Sequence, residues 1–364
     1  MNDNFVSIVG YQLEKVHTGV IRWLMDTLNT NVSMDTKYEI IRRTYSMIHP
    51  NNSLDFGKDE IIAITCFPEY AIGRKRKIDL VIRIDLAKRP SNYFVIEMKV
   101  DSIPYKDQLS GTKTDFLQLM PDYDPKNVTF FLYLLGTSSV CQVPDELHSF
   151  HIVSLPNIIG IYRGLPVHHY IYNDWMSELE AEAAKRDAFI KDYEQSIGIH
   201  DRDRSSYWQN KGYRGRQHHY YLYDEMKKHA KNSQHWAIDN GGNNPVMNYW
   251  GMKQNGWEPK SYDGHAILFY WEFNHEDFFL KACLHGDDTN KISQESFTTL
   301  RAQIIDELEK AAIENGARTR PTYGTFVSIF KWKLFKGSPA NLPHIMEKAD
   351  KIIALTRPII KRIQ

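Results

Sequence analysis

The chain has 364 residues, long enough for two domains, and its 42% hydrophobic and 25% charged residues are the balance of an ordinary globular protein. Forty-five Lys and Arg cancel forty-five Asp and Glu, so any grip on a polyanion must come from local cationic clusters rather than overall basicity. No apolar run approaches the roughly 18 residues of a membrane span, the first ten residues lack a signal-peptide pattern, and Cys66, Cys141 and Cys283 stand without zinc or disulfide spacing, so a cytoplasmic protein is expected.

In chain order, Val16, Val20, Ile21, Leu24, Met25 and Leu28 recur at helical spacing and predict a helix over 11–29, with Glu14 in its first turns. Tyr38, Ile41, Tyr45 and Ile48 predict a second helix, stopped by Pro50. Strand-like runs follow at 60–67, 77–85, 92–100 and 127–136, with a short one at 150–154. Between the third and fourth runs, Tyr105 to Met120 reads as a crossover helix carrying Gln108. A helix in that place makes the flanking strands parallel with a right-handed crossover, while the earlier strands meander antiparallel. The expected first domain, 1–172, is an α/β core with a mixed sheet and helices on its faces. A charged connecting helix spans 173–198, and 199–260 is rich in Tyr, Trp, His, Arg and Asn with weak periodicity. A strand pair at 264–273 and 277–285, a helix at 293–315, a strand at 325–334 and a helix at 341–355 complete an α+β domain over 199–364.

The chemistry concentrates in two strands, KIDLVIRI from Lys77 and YFVIEMKV from Tyr93. Alternation puts Val95, Glu97 and Lys99 on one face of the second strand, so a carboxylate and an ammonium share an otherwise apolar surface. Charges near a core must be paired or given something to bind. Asp79 on the neighbouring strand is the natural third member. Two close carboxylates disfavour joint ionisation unless a cation sits between them, and oxygen ligands select Mg²⁺ or Mn²⁺. A plain salt bridge of Lys99 with Glu97 or Asp79 is the alternative, and the three residues alone leave it open.

The order of Asp79, the strand ending Glu97-Met98-Lys99, and Gln108-Leu109 in the next helix resembles the PD-(D/E)XK nuclease superfamily. Glu14-Lys15-Val16-His17-Thr18 followed by IRWLMDTL is similar to the N-terminal helix of one bacterial branch, and the resemblance covers roughly residues 10–155. It implies a restriction-endonuclease-like fold in which Asp79, Glu97 and Glu14 ligate Mg²⁺ or Mn²⁺. It further implies that Lys99 supports the attacking water and that Gln108 lies beside the site. Ile78 stands where the superfamily often has proline. The implied activity is a metal-dependent DNA endonuclease in bacterial defence or restriction. A nucleic-acid-binding or scaffold protein with an idle site, and an RNA-cleaving enzyme, are the rival readings.

Arg74, Lys75, Arg76 and Lys77 directly precede Asp79 and are read as phosphate contacts. In 204–221 cations alternate with aromatics; the stretch reads either as a polar surface or as a nucleic-acid contact, with Arg214 and Arg216 the contacting residues in the second case. The resemblance makes nucleic acid, with DNA favoured, the expected partner, and the second half is where a homodimer or protein partner would bind. His168-His169 and His218-His219 have no third ligand at zinc spacing, and adjacent side chains are expected to diverge. Glu60 is read as a surface charge and Asp101 as a turn residue. No nucleophile elbow and no glycine loop for nucleotide phosphates occurs.

Overall fold

A computed structural model of the chain describes residues 4–72, 76–102, 106–119, 125–141, 143, 149–241, 244–249, 260–262, 264–284, 294–314, 316–319 and 326–362. Two units divide it, Met1–Ser139 with Val143–Asp187, and Val140–Gln142 with Ala188–Gln364. Among the described residues no helix is long and apolar enough to cross a membrane.

The first unit contains α1 (Phe5–Val9), α2 (Glu14–Met25), α3 (Met34–Ile48), β1 (Ile61–Ile72), β2 (Arg76–Leu86) and β3 (Arg89–Val100). It continues with α4 (Lys106–Leu119), β4 (Val128–Leu135), β5 (His151–Ser154), α5 (Leu155–Tyr162) and the start of α6 (Tyr170–Ser196). The strands lie side by side in sequence order. β1, β2 and β3 form the antiparallel meander, and β4 and β5 add in parallel. β3 is therefore central, and every residue from Phe94 to Val100 is buried. Phe94, Ile96, Met98 and Val100 join the larger core with residues of α2, α3 and α5, and Val95 joins a smaller one with Leu109 and Phe116 of α4. The alternation read from the sequence is the one observed.

α2 matters because it carries Glu14, and both of its ends are tied down. The fully buried His17 accepts a hydrogen bond at Nδ1 from Trp175 Nε1 (3.0 Å) and faces Tyr11 O through Nε2 (2.7 Å). An accepting Nδ1 places the ring proton on Nε2, so the histidine is neutral and bridges two segments. At the other end, Asp26 Oδ2 accepts from Cys66 N (3.4 Å), and Thr27 N and Oγ1 donate to Ile64 O (2.9 Å each). The turn built on these bonds ends α2 at Met25, short of the 11–29 expected from hydrophobic spacing.

The second unit takes in the end of α6 and adds α7 (Asp201–Asn210), α8 (Gln217–Lys228), β6 (Trp236–Gly241), β7 (Asn244–Tyr249), β8 (Lys260–Tyr262) and β9 (His265–Asn274). β10 (Asp277–Leu284), α9 (Gln294–Glu314), β11 (Arg318–Thr319), β12 (Phe326–Trp332) and α10 (Leu342–Arg362) follow. Its sheet is antiparallel, in the order β11-β12-β10-β9-β7-β6 with β8 also on β9. Among its described residues, the weakly periodic stretch 199–260 thus contains the helices α7 and α8 and the β6–β7 hairpin. α10 runs through Pro358 to Arg362, beyond the expected end at 355, because Thr356 and Ile360 keep its buried face continuous. Cys66 lies in the first unit's core and Cys283 in the second's, and burial pushes the thiols up, to about 12 and about 11.

Trp175→Phe removes the donor to His17 and leaves a buried ring nitrogen without it. The expected loss is about 1–3 kcal/mol in chemical denaturation. An unchanged midpoint would show that the His17 bridge does not hold α2 in place.

Candidate active site

The paired part of β2 and β3 ends at Leu80–Ile96. Just past it, Met98 N donates to the carboxylate of Asp79 (Oδ2, 2.7 Å). A side chain thus accepts the main-chain donor that a continuing strand would have bonded. This fixes Asp79 against β3. Lys99 is buried and its Nζ donates to Met98 O (2.8 Å). The same ammonium lies 3.4 Å from Glu14 Oε1 and 3.8 Å from Asp79 Oδ2. Glu14 is the first residue of α2, so the pinned helix is what brings its carboxylate to the end of β3. Glu97 is 1% exposed, and its Oε1 has no hydrogen-bond partner.

Three carboxylates therefore face one ammonium. Burial pushes the Glu97 carboxyl up to about 9, and the neighbouring charge of Asp79, a hydrogen bond with Asp79 and the charge of Glu14 add to it against the pull of Lys99. Glu14 is also raised, first by burial, with Lys99 opposing and Asp79 reinforcing. At neutral pH Glu97 accordingly holds a proton. Among the described residues, no group of three His, Cys, Asp or Glu stands as a ready metal cage. The donor chemistry nonetheless fits a hard cation, since all three acids offer oxygen and Glu97 Oε1 is an unused buried acceptor.

The structure brings together Glu14, Asp79, Glu97 and Lys99. Gln108 lies in the first turn of α4, and its side chain falls outside the described residues. Arg74, Lys75 and the Arg76 side chain fall outside them as well. Lys77 is exposed and 3.5 Å from Glu69 Oε1, which also pairs with Lys15 at 3.1 Å. Glu69, at φ 47°, is one of three non-glycine residues with left-handed backbone among the described residues. The Lys15–Glu69 tie between α2 and β1 was not expected, because a long-range ion pair leaves no mark on local pattern. Asp101 is a turn residue, its Oδ1 accepting from Thr137 N (2.7 Å). Glu60 Oε1 accepts from Gly57 N and its Oε2 lies 3.4 Å from Arg89. Arg214 and Arg216 belong to the second unit, between α7 and α8.

A carboxyl raised on folding loses its proton first in the unfolded chain. Glu97 therefore makes stability fall as pH rises from about 4.5 towards about 9. Glu97→Gln removes that cost and is expected to stabilise the metal-free protein at alkaline pH, with the difference vanishing in acid. Denaturation curves across pH check this. A variant less stable than wild type in alkali would mean that Glu97 is ionised and paired. Comparison with family models, with curated proteins and with solved structures finds no match to this chain.

Proposed function

We propose that this chain is a divalent-metal-dependent nuclease of the PD-(D/E)XK type, with a restriction-endonuclease-like first unit that hydrolyses phosphodiester bonds of DNA. The observation that carries the reading is the convergence of Glu14, Asp79, Glu97 and Lys99, with the Glu97 carboxyl buried and Oε1 unpartnered. The ion pairs of Lys99 with Glu14 and Asp79 would by themselves suit a structural salt bridge. A third, buried carboxyl has no place in such a bridge, because it adds desolvation cost without a counter-charge.

Glu14, Asp79 and Glu97 would hold Mg²⁺ or Mn²⁺, which when bound supplies a water of lowered pKa and positive charge beside the phosphate. Asp79 is already oriented for this by Met98 N. Glu97 gives its proton to solvent as the site fills, so loading is favoured by rising pH. Lys99, held by Met98 O, keeps its ammonium among the carboxylates, where it orients the attacking water and stabilises charge growing on the phosphoryl oxygens.

The test is incubation of purified protein with plasmid, linear and single-stranded DNA and with RNA, in Mg²⁺, Mn²⁺ or EDTA. Asp79→Ala and Glu97→Ala are each expected to lower cleavage about a thousandfold, or about 4 kcal/mol of transition-state stabilisation. Activity near wild type in either variant removes the assignment. Lys99→Met separates binding from chemistry. It is expected to keep calorimetric Mn²⁺ binding while cleavage falls, since its role lies in the transition state. Loss of metal binding together with cleavage would make Lys99 a structural counter-charge.

A further inference from the structure

The second unit carries a cavity of ≈ 550 Å³ that the proposed chemistry does not use. α7 contributes Arg204 and Trp208 to its wall, the turn before α8 contributes Arg216, and the first turn of α8 contributes His218 and His219. The β9–β10 turn adds His275, Glu276 and Asp277, with Lys333 behind β12 and Tyr193 from α6. The aromatic members form a continuous pile. Trp208 stacks on His218 (4.7 Å, 10°), His218 meets His219 at 4.1 Å, and His219 stacks on His275 at 4.7 Å. The two adjacent histidines, expected to diverge, therefore touch.

Two features of this wall lack their natural complement. Nδ1 of His218 and Nδ1 of His219 are buried without a hydrogen-bond partner. The charges are also uneven. Glu276 pairs with Arg204 (3.3 Å) and Asp277 with Lys331, whereas among the described residues no carboxylate pairs with Arg216 or Lys333. The surplus is cationic, and it sits at the positive end of the α8 dipole.

We infer that this cavity is a binding site for the phosphate group of a nucleotide, bound through Arg216 and Lys333 with His218 and His219 as further donors. The volume lies within the range of small-ligand pockets and exceeds what a bare phosphate fills. The histidines explain why the site is specific for an anion. Burial, reinforced by neighbouring histidine and arginine charges, holds His218 down at about 4 and His219 well below the usual value. His275 is lowered by burial and Arg216, with Asp277 opposing. An anion among them reverses that balance, and each imidazole that takes a proton from solvent gains a second N–H donor. The phosphate belongs either to a free nucleotide or to the 5′ end of a strand.

Sulfate keeps its charge across the pH range and is the probe for proton linkage. Titrated into the full chain by calorimetry in EDTA, it is expected to bind severalfold tighter near about pH 6 than near about pH 7.5. Arg216→Glu and Lys333→Glu, both exposed positions, are each expected to weaken binding at least about tenfold while melting temperatures hold. A nucleoside 5′-monophosphate is then compared with 5′-phosphorylated and 5′-hydroxyl oligonucleotides. Preference for the mononucleotide identifies a small-molecule site, and preference for the phosphorylated over the hydroxyl strand identifies an end-binding site. Either supports the inference. It is overturned by the absence of sulfate and monophosphate binding, by affinity independent of pH, or by affinity unchanged in both charge-reversal variants.

Discussion

A strand covered on both faces has no solvated side on which to leave a charge, and β3 places Glu97 and Lys99 in such a strand. Everything distinctive about the first unit follows from how those charges are accommodated. Lys99 is satisfied by a main-chain oxygen and by carboxylates brought from α2 and β2. Glu97 keeps one oxygen without a partner, and burial holds its carboxyl neutral. A core packed for stability alone would place a hydrocarbon there, as large buried apolar residues do on either side of it. That costly placement, a buried carboxyl pushed far from its ordinary range, is the feature on which the proposed metal site rests.

The same constraint gives meaning to the otherwise unremarkable ties of α2. A helix end can deliver a carboxylate to a strand end only if it is held to within a fraction of an ångström. His17, Trp175 and the Asp26–Thr27 turn do this from both ends. In the second unit positioning falls to aromatic rings instead. Trp236, Trp271 and Trp332 are buried there; Trp271 Nε1 finds Thr356 Oγ1 at 3.1 Å, whereas Nε1 of Trp236 and Nε1 of Trp332 have no hydrogen-bond partner, so those two rings are placed by packing alone.

The sequence is legible where local pattern and tertiary role coincide. β2, β3 and β4 are runs of β-branched and aromatic residues, and their pairing follows from the lengths of the connections. Asp79, Glu97 and Lys99 are visible as interruptions of those runs. Legibility fails where burial is achieved by residues of intermediate hydropathy. α8 buries Gln217, Tyr220, Tyr221 and Tyr223 beside Leu222 and Met226, so its helical period is blurred. The end of α10 was hidden by Pro358, which removes one helical hydrogen bond without ending the buried face. Contacts between distant segments, such as Lys15 with Glu69 or His219 with His275, have no local trace at all.

The two buried thiols have a use that does not depend on what the protein does. A cysteine reacts as thiolate and only where a reagent can reach it, and Cys66 and Cys283 meet neither condition while their cores are closed. Their modification by a thiol reagent would therefore count openings of the surrounding core rather than motions of the surface. Because one lies in each unit, the chain carries a separate internal clock for each half. The relative ticking of the two, followed by peptide mass over time, registers whether the halves breathe in concert or alone.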